Sequence, residues 1–201
     1  MVTQVIDKSS FKQYSWSSGK AVEMYISPPG MKLEERNFDF RISSAVCPEI
    51  SEFSDFSGYK RIFGVLDNHV ILQINGKEKI VDKYDLIQFD GSDKVISKGK
   101  CIDFNVMLSE RFDAICTKHF CKAGEEKKFS FLGGHMFIFA VEGRLTVNGK
   151  NLSEWGLAAI TGDKEEICNA KIISNENTAY ITVQIYTTKG YGNIENRSKK
   201  Y

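Results

Sequence analysis

An internal repeat constrains the fold of this chain more than any other feature of its sequence. Residues 63–97 align with residues 137–168, and the Asn-Gly-Lys turns of the two segments coincide once the second is shortened by two residues. Further along, Tyr84 aligns with Trp155, and Gly91 of one later turn aligns with Gly162 of the other. A repeat of this length indicates one supersecondary unit that is used twice.

The repeated unit has the pattern of β-strands joined by tight turns. Its segments are short, rich in β-branched and aromatic residues and bounded by Gly, Asn and Asp. Asn75-Gly76 and Asn148-Gly149 each lie between apolar strands, which is the strongest short-range signal for a hairpin. The pattern predicts an all-β protein built from small jelly-roll barrels of the cupin type. We therefore expect a bicupin with one lobe at residues 1–110, a second at 111–189 and a polar tail at 190–201.

Composition excludes several functional classes. The 201 residues are 42% hydrophobic and 12% aromatic, which is enough to pack a core. Lys and Arg total 27 against 26 for Asp and Glu, so the chain lacks the basic surplus of proteins that bind nucleic acids or anionic membranes. No apolar run approaches the ~20 residues that span a bilayer. We expect neither nucleic acid nor a membrane as a partner.

The N-terminal segment and the cysteines bear on the compartment. The first 16 residues contain no basic segment followed by an apolar one, so we predict no signal peptide. The 5 cysteines are odd in number and irregularly spaced, unlike the cysteines of a disulfide framework. We expect reduced thiols and a cytoplasmic protein.

The histidine content argues against the metal site found in many cupins. Such a site needs at least three imidazole or carboxylate ligands at suitable spacing. The chain has 3 histidines, His69, His119 and His135, and none of them belongs to a His-x-His pair. The later strand of the second lobe supplies no histidine either. We predict a site without a metal and without a cofactor.

Two strands alternate in a way that places polar side chains on one face. In FDFRISSA, Arg41 and Ser43 point away from the apolar residues, and in CIDFNVML, Asp103 and Asn105 do the same. We expect the apolar faces to pack a hydrophobic layer and the polar faces to meet solvent or a polar cavity. In a cavity, the guanidinium of Arg41 would offer a planar fork to a carboxylate, with added hydrogen bonds from Ser43 and Asn105.

The same residues allow simpler interpretations. Arg41 and Asp103 can form a structural ion pair, or both can face water, as most polar strand residues do. Arg61 in GYKRIFGVL is a similar candidate with a weaker pattern, and Trp16 is either a stacking platform or a core anchor. The chain shows no nucleophile elbow and no Gly-rich phosphate loop. General acid–base catalysis would need a buried carboxyl group with a raised pKa, for which Asp103, Glu23 and Glu142 are the candidates.

Four blocks of the sequence resemble the HutD/Ves family: WSSGKAVEMYISP, RNFDFRISSA, EFSDFSGYKRIFGVL and the run from DLIQFDGS to GKCIDFNVML. They cover most of residues 16–108. One stretch departs from the family pattern, because the Gly-rich, Thr-containing loop after the tryptophan is Ser17–Val22 here and keeps a single glycine. The resemblance implies a bicupin whose pocket residues are Trp16, Gly19, Glu23, Arg41, Ser43, Arg61, Asp103 and Asn105.

The resemblance also implies a bacterial cytoplasmic protein without a settled biochemical activity. It favours the binding of a small anionic metabolite, or a regulatory role, linked to histidine utilisation in some members and to stress response in others. Urocanate or a formylated glutamate derivative is the implied ligand. Two alternatives stay open. One is a metal-independent isomerase or hydrolase acting on a small carboxylic acid, and the other is an interaction protein that forms a homodimer.

Overall fold

The computed structural model describes residues 1–16 and 19–188, with the backbone alone at residues 16, 164 and 165. These residues form seventeen β-strands and two short 3-10 turns, Lys8–Ser10 and Leu33–Glu35. The strands are β1 (Val2–Ile6), β2 (Lys12–Trp16), β3 (Gly19–Ser27), β4 (Phe40–Cys47), β5 (Ile50–Glu52), β6 (Tyr59–Val65), β7 (Val70–Ile74), β8 (Lys77–Val81), β9 (Leu86–Asp90), β10 (Val95–Lys98), β11 (Cys101–Ser109), β12 (Phe112–Cys121), β13 (Glu126–Glu142), β14 (Leu145–Val147), β15 (Lys150–Leu152), β16 (Leu157–Ser174) and β17 (Thr178–Thr187).

Two sheets build the N-terminal lobe. One has six strands in the order β2-β3-β4-β11-β6-β9, and the other has four in the order β5-β10-β7-β8. An apolar cluster joins residues from both sheets, and its members Phe63, Val65, Leu72 and Val95 are fully buried. The predicted all-β barrel is therefore confirmed for this part of the chain.

A single sheet of seven strands builds the C-terminal lobe. Its order is β12-β17-β13-β16-β14-β15, with β1 paired to β16 as well. The two longest strands, β13 with 17 residues and β16 with 18, pair along most of their length. The interior of this lobe is filled by apolar side chains that include Ile138, Leu145, Ile160 and Tyr180.

The first strand of the chain belongs to the sheet of the C-terminal lobe. β1 runs antiparallel to β16, with Val2 opposite Thr161 and Ile6 opposite Leu157. Pairing thus links the start of the chain to its second half, a feature that the hydrophobic pattern does not encode. The lobe limits at 1–110 and 111–189 stay a prediction, and the tail at 190–201 lies outside the described residues.

The internal repeat is visible in the backbone. Asn75 and Asn148 have φ angles of 49° and 48°, and Tyr84 and Trp155 have φ angles of 68° and 61°. A left-handed backbone is uncommon for residues other than glycine, so these matched pairs mark the same turns built twice. The side-chain oxygens of the two asparagines each accept a hydrogen bond from a facing backbone N–H, at 3.0 and 2.8 Å. The repeat predicted from the sequence is confirmed.

Side-chain alternation gives the six-stranded sheet two different faces. Phe40, Ile42, Phe104 and Val106 are fully buried and pack against apolar residues of the C-terminal lobe. The ring of Phe104 stacks on that of Phe139, with centroids 5.5 Å apart and planes inclined by 9°. The apolar faces of β4 and β11 thus form a layer between the lobes, and the polar faces turn into the N-terminal barrel.

We predict that Phe104→Ala destabilises the whole chain by about 3–5 kcal/mol, the usual cost of emptying a buried phenylalanine site. Phe120→Ala is the matched control, since this ring is 59% exposed, and it should change the free energy of unfolding by less than about 1 kcal/mol. Urea unfolding followed by circular dichroism measures both variants. Because the layer is shared, the wild-type chain should unfold in one transition, and two separated transitions would contradict this.

Candidate functional site

A cavity of about 240 Å³ lies inside the N-terminal lobe. One wall is the polar face of β4, β11 and β6, which are adjacent strands of the six-stranded sheet. The other walls come from β2 and β3, the 3-10 turn Leu33–Glu35 and residues 51–56. The polar side chains of interest therefore sit on paired strands, and loop residues complete the enclosure.

The strand register sets the order of side chains on the polar wall. Met107 lies opposite Arg41 on one side and Arg61 on the other, so two arginines flank it in one row. In the next row, Asn105 lies opposite Ser43. Because side chains alternate across a strand, residues two apart point the same way, and both rows face the cavity.

Arg41 is buried, and two of its guanidinium nitrogens bind neighbouring side chains. Its Nε donates to Oε2 of Glu23 at 2.6 Å, and its Nη1 donates to Oγ of Ser43 at 2.8 Å. The hydroxyl of Tyr14 donates to the other carboxylate oxygen of Glu23 at 3.3 Å. The sequence left open an ion pair between Arg41 and Asp103, and the structure pairs Arg41 with Glu23 on β3 instead. Removing one partner of such a buried pair would leave an uncompensated charge.

Arg61 is buried without a carboxylate partner in the described part of the chain. Its guanidinium lies over the ring of Phe53 at 4.7 Å from the centroid and over that of Phe89 at 5.4 Å. Its Nε has no hydrogen-bond partner among the described residues. Burial lowers the pKa of Arg61 to about 10, and the negative charge of Asp103 opposes that shift. The side chain thus stays cationic at neutral pH and presents unused donors to the cavity.

Asp103 is buried on the same wall. One carboxylate oxygen accepts the backbone N–H of Ala45 at 2.6 Å, and the other accepts the weak S–H donor of Cys47 at 3.6 Å. Burial raises the pKa of Asp103 to about 6, although the Ala45 hydrogen bond and the charge of Arg61 act in the opposite direction. A carboxyl group with this pKa exchanges its proton close to neutral pH.

Two further polar atoms of the cavity have no partner among the described residues. These are Oδ1 of Asn105 and Oγ of Ser51, both buried. Buried polar atoms are normally hydrogen-bonded, so each of these atoms has hydrogen-bonding capacity that the described residues do not use. Together with Arg61, they give the cavity donors and acceptors that the protein itself leaves unused.

The structure brings five of the eight predicted residues into the cavity wall: Arg41, Ser43, Arg61, Asp103 and Asn105. Glu23 is not among the lining residues, but it lies opposite Ser43 on the same face of the sheet and binds Arg41. Gly19 pairs with the backbone of Trp16 at the end of the β2–β3 hairpin and is not among the lining residues. The side chain of Trp16 and the loop residues Ser17 and Ser18 lie outside the described part. Ligand binding by the eight residues stays a prediction.

The sequence reasoning missed several contributors. Phe53 and Phe89 hold Arg61, yet their separation in sequence hides the fact that they enclose one side chain. Ser51 and Cys47 also line the cavity. Cys47 lies directly opposite Cys101 in the β4–β11 ladder. Only the alternation of β4, which points Cys47 the same way as Arg41, could have indicated its place.

The positions of the C-terminal lobe that match Arg61 and Asp103 carry no charge. Arg61 lies opposite Phe89 in the N-terminal lobe, and Met136 lies opposite Ile160 in the matching place of the other lobe. Likewise, Tyr180 takes the place of Asp103. Met136, Ile160 and Tyr180 all belong to the apolar core of their barrel. The buried charges of Arg61 and Asp103 are thus present in one copy of the repeat and not in the other.

The cavity does not fit the metal site of metal-binding cupins. No histidine is among the described residues that line it. Across residues 1–16 and 19–188, no group of three or more His, Cys, Asp and Glu side chains is placed to hold a metal ion. His119 instead forms a 2.9 Å hydrogen bond with Thr182, and the ring of His135 lies 5.0 Å from that of Phe40.

Two repeated β-barrels, with a polar cavity inside one of them, define a protein of the cupin class. Solved cupin structures share this fold, and one of them is the pirin YhhW from Escherichia coli, solved in complex with nickel(II). It is 11% identical, with a TM-score of 0.68 over 90% of this chain and 98% of that one. The HutD family model matches residues 8–178. The chain therefore belongs to the HutD family.

Two solved structures are more similar still. One is the conserved protein of unknown function PA5104 from Pseudomonas aeruginosa PAO1, 20% identical with a TM-score of 0.80 over 92% of this chain and 99% of that one. The other is HutD from Pseudomonas fluorescens SBW25 in a formate condition, also 20% identical, with a TM-score of 0.77 over 92% and 100%. No curated protein matches the chain. At this identity, these neighbours establish the fold alone.

The buried carboxyl group of Asp103 predicts a pH-dependent effect on stability. Its pKa of about 6 in the folded chain exceeds the usual value of 3.8. The folded state therefore holds this proton more tightly, and the resulting stabilisation, present below pH 4, is lost as the pH rises through about 6. Asp103→Asn cannot ionise, so its free energy of unfolding relative to wild type should be higher at pH 7.5 than at pH 4.5 by about 2 kcal/mol.

Urea unfolding of both proteins at the two pH values measures this difference. Titration of His119 and His135 affects both proteins equally and cancels in the comparison. An equal difference between the two proteins at both pH values would show that the carboxyl group of Asp103 is not buried away from a cationic partner.

Proposed function

We propose that this protein binds a small carboxylate anion in the cavity of its N-terminal lobe, as a binding or regulatory bicupin of the HutD family. One observation carries the proposal. The guanidinium of Arg61 is buried at the cavity against two neighbouring phenylalanine rings and has no carboxylate partner among the described residues. A ligand carboxylate would supply that partner.

Electrostatic reasoning supports a ligand over a purely structural role for Arg61. A buried cation without a partner costs several kcal/mol, by order of magnitude, and contributes nothing to packing that an apolar residue could not supply. The second copy of the repeat illustrates this, since Met136 fills the equivalent place. A guanidinium fork can donate two parallel hydrogen bonds to a carboxylate, and such bonds are about twice as strong as neutral ones.

The remaining lining defines what kind of anion fits. Phe53, Phe56 and Met107 offer apolar contact, and Asn105 and Ser51 offer unused hydrogen-bonding atoms. A small carboxylate with an apolar or planar body and at least one further polar group suits this lining. Family membership favours an acid of histidine breakdown, such as urocanate or N-formylglutamate, in a cytoplasmic setting. The described residues contain no helix long and apolar enough to cross a bilayer.

Binding of such acids should raise the melting temperature of the native protein. We predict a concentration-dependent shift with at least one of urocanate, N-formylglutamate, glutamate and formate. Arg61→Gln should weaken the affinity for that acid by about 10- to 100-fold, because a charge-assisted hydrogen bond contributes about 1.5–3 kcal/mol. Arg144→Gln is the matched control, since this arginine is 68% exposed and paired with Glu176 on the surface, and it should leave the affinity unchanged.

A thermal-shift screen followed by calorimetry of the best acid measures these effects. Absence of a shift with all four acids at saturating concentration would count against anion binding. An affinity that Arg61→Gln leaves as unchanged as Arg144→Gln does would show that Arg61 does not bind the acid.

A second candidate function rests on Asp103. A metal-independent isomerase or hydrolase needs a carboxyl group that exchanges its proton near neutral pH, and burial raises the pKa of Asp103 to about 6. In that case, Asp103→Asn would abolish turnover of a bound acid while leaving its binding measurable. Mass spectrometry of the acid after incubation with wild-type protein distinguishes an enzyme from a binding protein.

A further inference from the structure

Four charged side chains are buried on the polar side of the cavity: Glu23, Arg41, Arg61 and Asp103. Two of them, Arg41 and Glu23, neutralise each other through a 2.6 Å ion pair. The other two, Arg61 and Asp103, make no direct ion pair with any described residue. They lie on adjacent strands, β6 and β11, and each feels the charge of the other. The buried set is therefore neutral when all four groups are ionised.

An anion that binds Arg61 disturbs this balance. Its negative charge neutralises the guanidinium, and Asp103 is then left as a buried carboxylate that no cation compensates. In a medium of low dielectric constant, such a charge is unfavourable, and two like charges in one cavity disfavour ionisation of the weaker acid. A proton on Asp103 restores neutrality. It also converts one carboxyl oxygen from an acceptor to a donor.

We propose that the cavity takes up an anion and a proton together, with the anion on Arg61 and the proton on Asp103. This inference rests on the proposed function, because it concerns the same anion site. The occupied cavity then holds three neutral units, namely the Arg41–Glu23 pair, the Arg61–anion pair and a protonated Asp103. The affinity for the anion therefore falls as the pH rises and Asp103 loses its proton.

Other titratable groups near Asp103 do not compete for this role. Cys47 on β4 is the nearest, and its hydrogen bond with Cys101, together with burial, raises the pKa of its thiol, so it stays protonated. The phenol of Tyr14 on β2 is engaged with Glu23. The remaining acids of the lining are Glu34 of the 3-10 turn and Glu52 of β5, and both are exposed to solvent. Asp103 is thus the buried acid left to take up the proton.

Formate is the probe, because it carries the carboxylate alone and stays ionised above about pH 5. The test is to titrate the wild-type chain and Asp103→Asn with sodium formate at pH 5.5, 6.5, 7.5 and 8.5, at ionic strength held constant with chloride. Amide chemical shifts in NMR spectra report the dissociation constant. In the wild-type chain, it should rise by up to tenfold for each pH unit above about 6. In Asp103→Asn, it should stay within about twofold over the same range.

The possible outcomes separate this inference from the function on which it rests. Saturable formate binding with a flat pH profile in the wild-type chain overturns the proton uptake and leaves the anion site standing. An equally steep profile in Asp103→Asn assigns the proton to another group and also overturns it. Absence of saturable binding to the wild-type chain at every pH overturns the anion site itself. If the variant does not fold, the pH dependence of the dissociation constant in the wild-type chain is sufficient to test the proton uptake.

Discussion

Alternation of side chains along β4 and β11 is the constraint on which the rest of the structure depends. In both strands, one face packs into the apolar layer between the lobes, and the other lines the cavity. Arg41 sits between Phe40 and Ile42 in the chain, and Asp103 precedes Phe104, so each polar residue is fixed by a fully buried neighbour. A shift of one residue in the pairing would bury the charges in the apolar layer, which makes this register strongly favoured.

The two barrels use the same turns for different interiors. Matched left-handed residues at the Asn-Gly turns and at Tyr84 and Trp155 show that the backbone unit is repeated. Met136 and Tyr180 nevertheless fill the second barrel where the first has Arg61 and Asp103. We interpret the C-terminal barrel as the part of the protein that covers the apolar face of the six-stranded sheet and so completes the apolar layer between the lobes. The N-terminal barrel can then tolerate buried polar groups, because the layer behind its wall supplies apolar burial.

Much of this arrangement can be predicted from the sequence, because it follows from the two-residue alternation of side chains along a strand and from the internal repeat. The period predicted the polar face with Arg41, Ser43, Asp103 and Asn105, and the repeat predicted two barrels. Pairing between distant residues was not predictable in the same way. Glu23 reaches Arg41 only because β3 pairs with β4, and this leaves Asp103 without a direct cationic partner. The joining of β1 to β16 and the enclosure of Arg61 by Phe53 and Phe89 are also products of tertiary packing.

The central claim is that the unpartnered guanidinium of Arg61 receives a ligand carboxylate inside the N-terminal barrel. A crystal structure of the protein with 4-bromobenzoate tests it most directly, because anomalous scattering locates the bromine independently of the protein density. We expect the bromine inside the cavity and the carboxylate within about 3 Å of the Arg61 guanidinium nitrogens. A bromine signal confined to the surface, or an Arg61 side chain turned out of the cavity into solvent, would contradict the claim.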